Sequence, residues 1–223
     1  MRVVGPARTL ISRTEDLLLV FKRKQPMLPI MDHLPWYRRL FSSALESDLK
    51  STLAKAGHGD ADAQFGLGLK YSTDTGEGIA QDFAQAAEWY HKAAVQNHAL
   101  AQFNLSVMFA SGQGVAQNDT TALMWTRKAA EGGDAGAQFK LGSRYHRASM
   151  DRLQMDSAES RIEAYKWFHL ASAQGYKGSD AAGERVALGM TREEVADGNQ
   201  RTAAFVARKG TIAEDDSSRI TIE

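Results

Sequence analysis

Small and apolar residues recur at three- and four-residue intervals along most of the chain, the spacing of one face of an α-helix. The pattern also repeats at a longer step. Ala63-Gln64-Phe65-x-Leu67, Ala101-Gln102-Phe103-x-Leu105 and Ala137-Gln138-Phe139-x-Leu141 lie 38 and 36 residues apart. Each is followed by an aromatic residue (Tyr71, Phe109, Tyr145) and then by an Ala-rich segment holding one tryptophan, Trp89, Trp125 or Trp167. Self-similarity at such a step marks an array of stacked supersecondary units.

Aligning the copies on their tryptophans predicts two helices per unit. Helix A spans about 60–71, 97–109 and 134–145, with Ala63, Leu67 and Tyr71 on one stripe at i, i+4 and i+8. Asp60 and Asp134 are placed to cap the first amides; in the second copy Asn97 is the expected cap rather than His98. Helix B spans about 83–96, 120–131 and 161–174. Asp82 with Gln85, and Ser160 with Glu163, have capping-box spacing. Ala86, Trp89 and Ala93, with Ala122, Trp125, Ala129 and Ala164, Trp167, Ala171, form its buried face: small residues where backbones approach, an indole filling the gap.

Between the helices stand Gly76-Glu77-Gly78-Ile79 and Gly112-Gln113-Gly114-Val115. No strand precedes them and no Lys-Ser/Thr follows, so they read as turn glycines taking positive φ, not as a phosphate loop. The third copy drops them for a longer charged insertion, 146–160.

Ala-Gln-x-x-Leu-Gly-x-x-Tyr, then Gly-x-Gly-Val, then Ala-x-x-Trp-Tyr-x-Lys-Ala-Ala resembles the Sel-one-like repeats, relatives of the tetratricopeptide repeats. The first copy carries it in Ala63, Gln64, Leu67, Gly68, Tyr71, Gly76, Gly78, Ala86, Trp89, Tyr90, Lys92, Ala93 and Ala94. The second departs at Ser106, in place of the helix A glycine, and at Thr126, in place of the tyrosine after tryptophan. The resemblance covers about 57–178 and implies an all-α fold, a right-handed α/α superhelical solenoid. The repeats are expected at about 57–96, 97–132 and 133–178. A polar-ended array needs caps: 44–56 is expected as the N-terminal cap helix, with Leu45, Leu49 and Leu53 on one face, and 179–209 as C-terminal cap helices. Thr191 with Glu194 opens the last of these, which is expected to run to about Arg208, with 210–223 a flexible tail.

Composition adds exclusions. Lysine plus arginine equals aspartate plus glutamate at 27 each, so no global field recruits nucleic acid or an anionic membrane. Residues 1–43 nonetheless hold eight basic and three acidic side chains. This basic head reads as irregular, weakly similar to a mitochondrial presequence, or as upstream sequence ahead of a start at Met27 or Met31. A targeting or membrane-surface role for it is one alternative function. No apolar run approaches the roughly 20 residues of a membrane span. Cysteine is absent, which removes disulfides, thiolate metal sites and thiol nucleophiles and suits a reducing compartment, the cytoplasm.

Chemistry finds little footing. His91 and His169 occupy the same aligned position two units apart, roughly 20 Å by packing distances, too far to share a metal. His33, His58, His98 and His146 are expected as solvated side chains at ends or in loops. The carboxylates read as caps or solvated faces, so no catalytic, metal or cofactor site is assigned. Cysteine-rich relatives imply a second alternative, a hydrolase of the β-lactamase-like branch, but this chain lacks that branch's defining residue. The leading expectation is a noncatalytic scaffold that binds a protein or peptide through positions that vary between copies. On helix A these are Asp62, Gly66, Lys70; Leu100, Asn104, Met108; and Gly136, Lys140, Arg144, a stripe along the concave surface running from mixed to apolar to basic. Met108 and Leu100 would give an adaptable apolar contact, and Lys140 with Arg144 would meet an acidic segment.

Overall fold

The computed structural model describes residues 49–73, 80–151 and 157–219, with 209–219 described by backbone alone. The N-terminal segment 1–43, the first part of the expected cap helix, the first glycine turn, residues 152–156 of the insertion and residues 220–223 lie outside them. Among the described residues the chain forms nine helices and no strand. They are α1 (49–57), α2 (Ala61–Ser72), α3 (Phe83–Val95), α4 (Ala99–Ser111), α5 (Asp119–Gly132), α6 (Ala135–Ser149), α7 (Ser157–Ala173), α8 (Ser179–Ala187) and α9 (Arg192–Arg219). From α2 to α8 each helix packs on the next, and α9 returns to pack on α7. The helix A series is therefore α2, α4 and α6, and the helix B series α3, α5 and α7.

The joints between units follow one design. Gly59, Asn97 and Gly133, two residues ahead of α2, α4 and α6, take φ of 95°, 66° and 99°, the left-handed region that ends a helix. The next residue's N–H then reaches back to a carbonyl of the preceding helix: Asp60 to Lys55, His98 to Ala93 and Asp134 to Ala129, at 2.9 to 3.2 Å. The repeated glutamine completes the joint. Nε2 of Gln64, Gln102 and Gln138 donates to the carbonyls of Ala56, Ala94 and Ala130 at 3.0, 3.0 and 3.2 Å, satisfying acceptors that a helix end leaves open. Asn97 cannot therefore cap α4 as expected, because it occupies the left-handed position. His98 caps instead, its Nδ1 accepting from Ala101 N–H at 3.1 Å.

Within a unit, helices A and B meet over the buried Leu67, Leu105 and Leu141, at most 1% exposed, each worth about 1.5 to 3 kcal/mol relative to exposure. In the first and third units an aromatic ring of helix B lies on a glycine of helix A: Tyr90 on Gly68, and Phe168 on Gly142, where a Cβ would come within 2.9 Å of Phe168 Cδ1. In the second unit both members change together. Ser106 and Thr126 are buried, and each hydroxyl is satisfied within its own helix, by Phe103 O at 2.7 Å and Ala122 O at 2.9 Å. Trp125 and Trp167 are buried, whereas Trp89 is half-buried with Lys92 Nζ 3.8 Å over its ring.

The turn glycines behave as read where they are described. Gly112 caps α4 at φ 73°, and Gly114, also at 73°, lies so close to the Phe83 carbonyl that a side chain would collide with it. Asp82 and Asn118 cap α3 and α5; their own N–H groups donate to the Tyr71 and Phe109 carbonyls, so the expected Gln85 arm of the box has its target already occupied.

The third unit departs most from expectation. Its helix A continues four residues past Tyr145, and its helix B opens at Ser157, so Ser160 lies inside the helix and forms no box with Glu163. Glu163 instead accepts from Lys166 Nζ at 2.7 Å, Trp167 Nε1 at 3.0 Å and Arg201 at 3.1 Å. The last helix also outruns expectation. It continues to Arg219, so 210–219, read as flexible tail, is helical; without a proline, Gly210 alone is too weak a breaker to end it. The Thr191 and Glu194 box does form, with Thr191 N–H to Glu194 Oε2 at 2.8 Å and Glu194 N–H to Thr191 Oγ1 at 3.2 Å. Phe205 stacks edge-on to Trp167 at 5.6 Å, and Arg201 pairs with Glu159, Glu163 and Asp197.

Candidate interaction surface

The variable helix A positions do not form one stripe. Asp62, exposed in the first turn of α2, has its carboxylate 3.2 Å from His98 Nε2. Because Nδ1 of His98 accepts from the backbone, Nε2 carries the ring proton in the neutral tautomer and faces the Asp62 carboxylate. That imidazole, stacked on Phe65 at 4.6 Å, ties α2 to α4. His98 is thus a structural cap, not the solvated side chain expected. Gly66 faces open space and Lys70 is half-buried. Asn104 is half-buried beside Tyr90, whose hydroxyl also lies 3.0 Å from Ser72 Oγ; burial pushes that phenol above its ordinary value.

Met108 overturns its assignment. It is 5% exposed and packs with Tyr90, Leu105 and Trp125 in the core of the second unit. At the aligned positions Lys70 and Arg144 carry charges that hold them toward water; an uncharged, flexible thioether gains by turning inward. Gly136 is likewise buried, against the Phe103 ring. Leu100 remains half exposed at 50%.

What the fold brings together is the basic end. Lys140, Arg144 and Arg147 line a cleft of about 350 Å³ between α5 and α6, with Asp119, Leu123 and Leu141 among the other walls. Lys140 is half-buried with Nζ 5.9 Å from the Phe103 ring, and burial holds its ammonium below the ordinary lysine value. Arg144 and Arg147 are exposed. Sequence reasoning missed Arg147 because helix A was ended at Tyr145; the signal available was its i+7 spacing from Lys140. A second cleft, about 430 Å³, lies between α3 and α4 over Ala87, Leu105, Phe109 and Val115, with His91 and Lys92 at its rim.

No group of three or more His, Asp or Glu among the described residues has the geometry to hold an ion. His146, expected in a loop, is half-buried in α6, its pKa lowered by burial and by Arg185. His169 lies on the Tyr165 ring at 4.1 Å, and burial lowers its pKa as well. No helix among the described residues is long and apolar enough to cross a membrane.

Comparison with known proteins agrees with this architecture. The family model for the Sel1 repeat matches residues 61–98, 99–134 and 135–176. A Sel1 repeat protein from Oxalobacter formigenes, known from its crystal structure, is 30% identical with a TM-score of 0.52, the match covering 62% of this chain and 98% of that one. The crystal structure of c5321, a protective antigen of uropathogenic Escherichia coli strains with an SLR fold, is 21% identical with a TM-score of 0.50. That match covers 78% of this chain but only 44% of the antigen, and speaks to the fold alone. No curated protein matches the chain.

Proposed function

The chain belongs to the Sel1 repeat family, and from that premise we propose that it is a noncatalytic scaffold holding a protein or peptide against its helix A series. Sel1 repeat proteins are generally protein-interaction scaffolds. One observation carries the reading for this chain. The residues its units share are occupied in joints and core, as the glutamines, leucines and helix B alanines illustrate. Among the residues that vary, Leu100, Lys140, Arg144 and Arg147 remain available to a partner.

Affinity capture from lysate of the source organism, with the wild-type chain beside a Leu100→Ala, Lys140→Ala, Arg144→Ala variant, tests this. Met108 is left intact because its truncation would open a core cavity. The variant should lose at least one protein that the wild type retains. Equal recovery of every protein by both chains would sink the proposal.

A further inference from the structure

Lys140, Arg144 and Arg147 follow one another at i, i+4 and i+7 along α6 and line a single cleft. Among the described residues none of the three lies within ion-pair distance of a carboxylate, although Asp119 lines the same cleft. The fold does not require these charges. At the aligned positions the first unit has Gly66, Lys70 and Thr73, and the second has Asn104, Met108 and Ser111. Nor is the excess a spillover from the whole chain, whose formal net charge is zero. Lys140 is half-buried with no carboxylate at ion-pair distance among the described residues, an arrangement that costs free energy in the unliganded protein and that an arriving anion relieves.

The geometry points to this cleft as a seat for an acidic side chain of an extended peptide, with a neighbouring apolar side chain laid on the half-buried Leu123. At about 350 Å³ the cleft stands at the lower end of the range for ligand sites, room for a side chain or two and not for a folded surface. Two arginines can grip a carboxylate by paired N–H donors while Lys140 adds a point charge. The apolar walls favour a peptide over a phosphodiester backbone, which would leave them uncovered. Asp119, on the same cleft, repels an unbroken run of phosphate charges laid along it. The inference rests on the scaffold reading of the same helix series.

Fluorescence anisotropy with the full chain tests it. The probe is a labelled peptide, Gly-Ser-Glu-Leu-Glu-Glu-Leu-Gly-Ser, compared with its glutamine counterpart and with an oligothymidylate of equal charge. The glutamate peptide should bind at least roughly tenfold more tightly than either comparator, as expected when charge-assisted hydrogen bonds are at stake. A Lys140→Gln, Arg144→Gln, Arg147→Gln variant should lose that preference with a melting temperature no lower than the wild type's, and Asp119→Asn should tighten binding by roughly two- to fivefold. Equal binding of the glutamate and glutamine peptides, no binding of either, or tighter binding of the oligothymidylate would each overturn the proposal. The scaffold reading fails separately: captured proteins lost on Leu100→Ala but retained by the triple glutamine variant would leave it standing while this inference falls.

Discussion

The second unit and its two neighbours fill the same space with different atoms. In the first and third, an aromatic ring of helix B rests on a helix A glycine; in the second, Ser106 and Thr126 share the volume. The two departures visible in the sequence are therefore one departure, because the contact between the helices is a single volume divided between two positions. A second difference accompanies it. Gln96 and Gln174 each donate to Oε1 of the joint glutamine, Gln64 and Gln138, at 2.8 and 2.9 Å. Gly132 stands at the corresponding place in the second unit, and Gln102 Oε1, buried, has no hydrogen-bond partner there.

The sharpest way to break the comparison is Gly142→Ala. A methyl 2.9 Å from Phe168 overpacks the contact, and the expected loss is about 1 to 3 kcal/mol in denaturant unfolding. Ser106→Ala, by contrast, should change stability by less than about 1 kcal/mol, since Thr126 already leaves the space. Next in size is a double-mutant cycle. Thr126→Tyr alone should destabilise by about 2 kcal/mol, and adding Ser106→Gly should recover about half or more of it, a coupling that independent positions would not show. Additive losses would mean that the two substitutions are unrelated.

A smaller effect sharpens the joint. Gln174→Ala strips the donor from buried Gln138 Oε1 and makes the third unit resemble the second. It should cost about 1 kcal/mol, checked by the shift in thermal midpoint.

The smallest effect concerns the terminal cap. Hydrogen bonds from Arg201 and Arg161 hold Glu159 and Glu194 below their ordinary value of 4.5. Lowered folded-state values mean that the stabilisation is fully present above the unfolded-state value and is lost as pH falls through the lowered ones. Arg201→Ala should cost about 1 kcal/mol or less near neutral pH, because these pairs are partly exposed. Below about pH 4.5 the variant's melting temperature should fall less steeply than the wild type's.

The repeat, the helix pairs, the turn glycines of the second unit and the final capping box were legible because each follows from spacing along one chain segment. What the chain did not disclose depends on which of two residues takes a scarce role. Asn97 and His98 could each cap α4, and only the need for a left-handed residue before the cap decides between them. Met108 sits in register with Lys70 and Arg144, so helical periodicity placed it with them; burial separated it. The basic cleft was half visible. Lys140 and Arg144 follow the stripe, but Arg147 entered only when α6 proved a turn longer than its aromatic marker suggested.

The glutamine joints have one more implication. Each donor belongs to the incoming unit, while the acceptor it meets is a backbone carbonyl, a group present whatever the sequence before it. This bond makes no demand on the side chains of the unit before it, which makes that part of the seam tolerant of gene-level duplication and excision. Copying or deleting 99–134 as a block would rejoin the chain at a left-handed residue and offer the incoming glutamine the same kind of carbonyl, leaving only the side-chain packing across the joint to be refitted.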